Sequence, residues 1–431
     1  MTDRVFVPYE SIAEALGAAE IATTLAAGGS EVARIGSRGL LWAEPMIELE
    51  RDGRRTAFGN VSPTETGRLD ERELGPVDEL LAGQTRVVFG NCGTYAPTDL
   101  AAYRAHGGFG SGDVDGATIL EEVTSAGLRG YGGAGFPAGR KWQTAADIEA
   151  DQKYIVANAD EGDSGTFADR LIMEGDPYLL LEGMQLAGRA IGASRGVIYL
   201  RSEYPLAAQI LTEALDTARE AGILDEAFDI ELFGGAGAYI CGEATSLLES
   251  LEGKRGEIRV KPPPMAVRGL YGQPTVVNNV ITLCAVPWIV RHGGAAYAEL
   301  GVGHSTGTMP FQLSGNVKRG GLYELEFGVT LGELVNDWAG GTRSGRPVQA
   351  VQVGGPLGGY LTPEHFDTPM TYEHLREIGA DVGHGGGGVV ADPVALAAQA
   401  RYAFVFCAVA SCGRGTPWRI GSVRGVVLMG Q

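Results

Sequence analysis

No stretch of this chain strings together the roughly twenty apolar residues that a membrane-spanning helix needs, so membrane insertion is not expected. Cysteine is scarce, odd in number and scattered, at Cys92, Cys241, Cys284, Cys407 and Cys412. That usage suits a reducing cytoplasm better than a disulfide framework. Positive charge is also short. The 34 Lys and Arg face 53 Asp and Glu, and the net charge of -19 argues against nucleic acid and against anionic membrane surfaces as partners. Met1 to Pro8 hold neither a basic n-region nor an apolar h-region, so no signal peptide is expected and the expected location is cytoplasmic.

Glycine is abundant. The 67 glycines follow no collagen period and point to many turns and close backbone approaches. They concentrate in Gly127-Leu-Arg-Gly-Tyr-Gly-Gly-Ala-Gly-Phe-Pro-Ala-Gly-Arg-Lys-Trp142, answered by Asn158-Ala-Asp-Glu-Gly-Asp-Ser-Gly-Thr-Phe167. Gly130, Gly132, Gly133 and Gly135 let the backbone approach a flat or anionic group, because no Cβ intervenes. Lys141 adds a positive charge, and Asn158, Asp160 and Glu161 add directional hydrogen-bonding groups. Gly130, Gly132 and Gly135 spell G-x-G-x-x-G, but an amphipathic helix over Thr118 to Ala126 precedes them and Pro137 follows. A Rossmann fingerprint needs a strand before it, and the spacing around Lys141 does not fit a P-loop either. This is a different nucleotide loop.

The length implies about three domains. Val5-Phe-Val, a helix over Ser11 to Ala27 capped by Ser11, Val32 to Ile35, a hairpin about Asp52-Gly53 and a helix over Glu71 to Leu81 make a thioredoxin-like order without C-x-x-C. The body to about Gly301 is α/β. Tyr154 to Ala157 and Gly196 to Leu200 read as fully buried strands. Helices are expected over Tyr178 to Ile191 and Pro205 to Ala221, and the strand Phe228 to Leu232 feeds a second glycine-rich loop over Gly234 to Ser246 that opens a helix over Thr245 to Leu251. Strand, strand, helix and strand from Pro310 to Val353 read as a β-grasp, ubiquitin-like module, before a helical part that starts at Pro393. The expected fold is α/β multidomain: a thioredoxin-like unit over 1–95, an α/β nucleotide-binding body over 96–305, the β-grasp module over 306–385 and a truncated helical part over 386–431.

Tyr103-Arg-Ala-His-Gly-Gly108, Asp160-Glu-Gly-Asp-Ser-Gly-Thr-Phe-Ala-Asp-Arg170 and Gly354-Gly-Pro-Leu-Gly-Gly359, with the cysteine-free N-terminal unit, carry a resemblance over nearly the whole chain. It resembles the flavin-containing, NADH-oxidising subunit shared by respiratory complex I, NAD-reducing hydrogenases and NAD-dependent molybdenum formate dehydrogenases, and is most similar to the formate dehydrogenase beta subunit. The resemblance implies FMN held by Gly130, Gly132, Lys141, Asn158, Asp160, Glu161, Tyr239, Gly242, Glu243, Asn278 and Asn279. It implies NAD(H) over the flavin near Gly133 and Phe136, with Asp163 and Lys261 near its polar parts. The implied chemistry is hydride transfer to flavin, with no catalytic acid or base and with Glu161 and Lys141 in support. The implied partners are other subunits of a formate-dehydrogenase-like or hydrogenase-like complex, including a thioredoxin-like 2Fe-2S subunit.

Three departures qualify that pattern. The family's Ser-Cys-Gly-x-Cys-x-Pro-Cys-Arg stands here as Ser411-Cys412-Gly413-Arg414-Gly415-Thr416-Pro417-Trp418-Arg419, and no cysteine follows. A 4Fe-4S cluster takes four ligands, and Cys412 is the single ligand position retained, so no cluster and no other metal are expected. Ala244 replaces a family Glu that accepts from the adenosine 2′-OH and repels a 2′-phosphate, so use of NADP(H) is expected to be open. Tyr131 replaces an Arg of the glycine loop and is expected to alter flavin affinity. The expected activity is that of an FMN-dependent NAD(P)H dehydrogenase, or diaphorase, subunit. The alternative is a non-catalytic scaffold that has lost electron transfer.

Overall fold

The computed structural model describes residues 4–431. Residues 1–3, which begin the expected N-terminal unit and its leader-free start, lie outside the described residues. Over the described residues the chain is a mixed α/β protein with four sheets. The first sheet is built from β1 (Arg4–Pro8), β2 (Glu31–Ile35), β3 (Ile47–Arg51), β4 (Arg54–Phe58) and β5 (Glu73–Pro76), in the order β2-β1-β3-β4-β5. β1 and β2 run parallel, and β3 turns into β4 through Asp52 (φ 51°) and Gly53 (φ 74°), the left-handed pair that a two-residue hairpin favours.

Two expectations for this unit give way. The helix from Ser11 breaks into Ser11–Ala15 and Ala18–Ala27, because Gly17 takes φ +101°. Its cap is Glu10, whose carboxylate accepts from the Ile12 and Ala13 amides, while the Ser11 hydroxyl donates to Glu174. The helix expected over Glu71 to Leu81 is instead a 3-10 segment, Pro63–Arg72, then β5, then one turn, Val77–Leu80. Leu74 and the residues around it extend along β4, and the sheet contact overrides local helix propensity.

The central sheet is all parallel: β6 (Tyr154–Ala159), β7 (Arg195–Leu200), β8 (Asp229–Gly234) and β9 (Thr275–Asn279), in the order β8-β7-β6-β9. Its strands are apolar because helices cover it. Pro177–Ile191 is almost wholly buried, and Val280–His292 packs against it. The chain steps outward from β6 to β8 and then returns to place β9 on the other side of β6. The strand order therefore reverses between β6 and β9, and ligands of open α/β sheets bind at the carboxyl ends of strands at such a reversal.

A small ladder, β10 (Gly301–Val302) with β11 (Ser305–Thr306), leads to the last sheet. That sheet holds β12 (Thr308–Gly315), β13 (Gly321–Glu326), β14 (Val348–Val353), β15 (Gly359–Leu361) and β16 (Gly386–Ala391), in the order β13-β12-β16-β14-β15. β16 lies at its centre, parallel to β12 and antiparallel to β14, so this sheet runs beyond the boundary expected at residue 385. The helix Leu396–Ala410 follows it, with none of its residues fully buried. Among the described residues no helix is long and apolar enough to cross a membrane.

Candidate functional site

A cavity of about 450 Å³ opens at the carboxyl ends of β6 and β9. Four widely separated stretches wall it: the glycine loop at Gly132 to Ala134, the segment after β6 with Asp160 and Asp163, the Tyr239–Gly242 turn, and Gly354, Leu357, Asp381, Gly383 and His384 beside the last sheet. Ser411, Cys412 and Trp418 close one side. There the Tyr239 ring meets Phe406 edge-on at 4.7 Å, and Arg414 donates to the Ile258 carbonyl at 2.8 Å.

The glycine loop closes on itself. Gly130 N donates to Phe136 O at 3.0 Å and Ala138 N to Leu128 O at 2.8 Å, which thrusts Gly132 and Gly133 to the tip. Gly135 takes φ +58°, and a Cβ there would meet the Tyr372 ring at 2.8 Å. Gly132 differs. A Cβ on it would meet protein at no less than 3.5 Å, so the fold itself does not require glycine there and the need for space comes from the cavity. Phe136 is 46% exposed and lies outside the cavity wall.

The polar groups fall into two sets. In the first, the protein satisfies its own side chains. Glu161 is buried, and its carboxylate accepts from the Asp169 and Arg170 amides and the Tyr204 hydroxyl, capping the helix Ala168–Gly175 instead of facing the cavity. Asn279 donates to Asp169 at 2.7 Å and accepts from Ile281 N at 2.9 Å. Asn158 ties β6 to the Tyr239–Gly242 turn by donating to Gly242 O at 2.8 Å. Glu243 caps Ala244–Leu251 by accepting from Thr245 N and Ser246 N, and Lys261, outside the cavity, lies 3.5 Å from it.

In the second set something is left over. Asp160 Oδ2 and Asn278 Nδ2 are buried with no hydrogen-bond partner, although Asn278 Oδ1 accepts from Trp142 Nε1 at 3.0 Å. Burial pushes the Asp160 carboxyl up to about 7, against the pull of Arg201. Lys141 donates to the Val277 carbonyl on β9 at 2.8 Å, and burial, helped by Lys261, pushes its ammonium down to about 8. An orphan acceptor and an orphan donor at the ends of adjacent strands are costly unless a ligand completes them. Asp160 lines the cavity and Asn278 does not, so a hydroxyl-bearing cofactor in the cavity would supply the partner of Asp160.

Asp163 has both oxygens engaged, by the Tyr239 hydroxyl and by His384 Nδ1, each at 2.7 Å. Burial acts to raise its pKa, but the His384 and Tyr239 hydrogen bonds hold it below the usual range. His384 belongs to no motif in the sequence. A lone histidine inside a glycine-rich run is its one signal, and its partner lies 221 positions away. Tyr131, expected to alter flavin affinity, turns into the core, where its hydroxyl bonds Tyr297 and the Thr308 carbonyl at 2.6 Å each. Its ring is buried there against Phe327. Cys412 lines the cavity, and among the described residues no three His, Cys, Asp or Glu side chains gather as a metal site.

A model of the Nuo51 FMN-binding domain matches residues 123–288. The chain is 43% identical over 352 residues to the NADP-reducing hydrogenase subunit HndC of Solidesulfovibrio fructosivorans, covering 79% of this chain and 72% of that protein. It is 44% identical over 311 residues to an NADH-quinone oxidoreductase subunit of Salmonella typhimurium, covering 70% of each. A crystal structure of an NAD+-reducing NiFe hydrogenase in the H2-reduced state superposes with a TM-score of 0.71 at 32% identity, over 99% of this chain and 75% of that one.

Proposed function

Because the chain belongs to the Nuo51 FMN-binding family, to which these hydrogenase and NADH-quinone oxidoreductase subunits are similar, we propose that its cavity holds FMN and admits a nicotinamide nucleotide beside it. The single observation that carries this reading is the buried, unpartnered Asp160 Oδ2 in the cavity wall at the β6/β9 reversal. When bound, the flavin accepts a hydride from the nicotinamide, and the protein contributes position and electrostatics.

The chain's own residues then take distinct parts. Asp160 would accept from a cofactor hydroxyl, which completes its buried oxygen, while Asn278 holds Trp142 one residue before the wall residue Asn279. Gly132 and Gly133 let the backbone lie against a flat ring. Asn158, Gly242 and Asn279 hold the three walls in register. Lys141 is tied to the Val277 carbonyl of β9 outside the cavity lining, so its positive charge would act on a phosphate or a reduced ring only at a distance. Leu357, Ile258 and Trp418 keep water from the cavity mouth. Glu161 acts at one remove, by fixing the helix that carries Asp169.

NADPH is accepted alongside NADH in this reading. No carboxylate stands at Ala244, and the neighbouring Glu243 is engaged as a helix cap and faces Lys261. A 2′-phosphate thus meets one carboxylate, Glu243, already paired with Lys261, where the family pattern has two. Gly415 and Trp418 stand at two positions where the family pattern has cluster-ligating cysteines, so in this reading electrons leave the flavin without a 4Fe-4S cluster held at Cys412. The electrons pass to a partner subunit of a formate-dehydrogenase-like or hydrogenase-like assembly, such as a thioredoxin-like 2Fe-2S subunit, or to a soluble acceptor.

An anaerobic absorbance titration of the purified chain with FMN, then NADH, then NADPH tests the reading. The expected result is one flavin bound and bleached by about one equivalent of either nucleotide. Absence of flavin binding would transfer the chain to a scaffold role. Bleaching by NADH alone would remove the NADPH clause.

A further inference from the structure

His384 has no task yet in the proposed flavin site. Its Nδ1 is bonded to Asp163 Oδ2 at 2.7 Å, and its own carbonyl accepts from Gln312 Nε2 at 2.6 Å, so the residue is held at both ends. It cannot draw back. Gly383, with φ +58°, lies so close to Gly354 that a Cβ there would come within 2.6 Å of the Gly354 Cα. The other imidazole nitrogen, Nε2, has no partner among the described residues, and it lies 3.9 Å from the place a Cβ on Gly132 would take. Asn279 lies 3.5 Å from that same place. The free nitrogen therefore faces the part of the cavity bounded by Gly132 and Asn279.

The chemistry of this nitrogen follows from its neighbours. Asp163 also accepts from Tyr239, so it is a fixed carboxylate acceptor and His384 Nδ1 carries a hydrogen. Nε2 is then a donor when the ring is cationic and an acceptor when it is neutral. The groups around it are nearly all acidic: Asp160, Glu161 and Asp163 after β6, Asp169 on the following helix, Tyr239 on its turn and Asp381 on its own loop. Burial opposes the charge on the ring, but Asp163, Asp169 and Glu161 outweigh it and push the imidazole up to about 9. Among the described residues that line the cavity there is no Lys or Arg. His384 is thus the cation of an otherwise acidic wall.

The geometry points to His384 as the residue that offers a charge-assisted N–H from Nε2 to the bound flavin and so favours its reduced form. This rests on the FMN reading of the cavity. A hydride takes two electrons and one proton from NADH, which leaves as NAD+, and the flavin ring gains one negative charge. A fixed cationic donor stabilises that charge more than it stabilises the neutral oxidised ring. His384 then sets how far bound flavin is reduced at a given NADH to NAD+ ratio, and it does so from an element outside the parallel sheet.

The test uses the full chain loaded with FMN. Binding of oxidised FMN is read by quenching of flavin fluorescence, and the midpoint potential by anaerobic equilibration with a reference dye. His384→Gln is expected to bind oxidised FMN with comparable affinity but to show a roughly 10-fold smaller equilibrium constant for reduction, a drop of about 30 mV for a two-electron couple. His384→Lys, which keeps a cation, is expected to recover most of that drop. Asp163→Asn, which removes the acceptor that holds the ring charged, is expected to lower the potential in the same direction. An FMN-loaded His384→Gln protein with the wild-type potential overturns the inference, and Asp163→Asn decides in the same way if His384→Gln does not fold. A wild-type chain that binds no FMN overturns the function reading instead, so the two failures are told apart.

Discussion

Two clusters of buried polar side chains in this molecule look alike by composition and differ in completeness. Beneath the first sheet, Glu48 takes Arg38 Nε at 2.8 Å and Arg38 Nη2 and Arg55 Nη1 at 3.0 Å. The remaining arginine donors reach the Cys92, Gly93 and Thr94 carbonyls. Every charge there has a counterpart from the protein. At the β6/β9 reversal, by contrast, Asp160 and Asn278 each keep one buried atom unpaired. A closed network does structural work, whereas Asp160, left open in the cavity wall, has room for a partner from a ligand.

The largest effect should come from breaking the closed network. Glu48→Ala leaves buried Arg38 without its acid and Arg55 with only Glu50, and is expected to cost about 3–5 kcal/mol of stability. Urea unfolding measures it, and whatever protein remains folded should still bind FMN. The open cluster should behave in the opposite way. Asp160→Ala is expected to weaken FMN binding by roughly 10–100-fold, the worth of a charged hydrogen bond. The same change should leave the cofactor-free chain as stable or more stable. Because the Asp160 carboxyl is pushed up to about 7 in the fold, ionising it costs stability as pH rises from about 4 to about 7. The gain from Asp160→Ala should therefore be larger at pH 8 than at pH 4. Equal loss of stability in both variants would erase the distinction between the clusters.

Smaller effects sharpen it. Gly132→Ala should leave thermal stability within about 0.5 kcal/mol, since its Cβ meets no protein atom closer than 3.5 Å, and should still reduce cofactor affinity. Calorimetry with and without FMN separates the two. The smallest effect is the pH limit of the His384–Asp163 pair. His384 is raised in the fold, so its contribution is complete below about 6.5 and is lost as pH rises through about 9. Melting temperature of the wild type should fall over that range more steeply than that of His384→Gln.

The legible part of this fold lay in short-range patterns. The apolar runs at Tyr154 and Gly196, the Asp52-Gly53 hairpin and the long helices from Pro177 and Pro205 all carry periodicity or turn chemistry within a dozen residues. The glycine loop and the Asn158 to Phe167 stretch pointed to the same cavity because each lines it directly. What stayed hidden depends on distant partners. Glu161 and Asp160 are neighbours of equal charge, and nothing local says that one caps a helix while the other is left open. Tyr131 sits among cavity glycines, yet its ring finds Tyr297 in the core. The strand at Gly386–Ala391 is mostly glycine and valine and gains its identity from pairing with β12 and β14. His384 has no motif at all, and its meaning comes from Asp163.

The cavity also constrains when the protein can acquire its cofactor. Its walls come from residues near 132, 160, 240, 279, 383 and 412, so the binding surface has a very high contact order. During synthesis, β6 leaves the ribosome long before the loop that carries His384, and an emerging chain holding only the glycine loop and β6 presents half a cradle. Capture of the cofactor therefore belongs to the finished chain. Cells short of flavin should accumulate a fully folded, empty protein rather than a stalled or misfolded one.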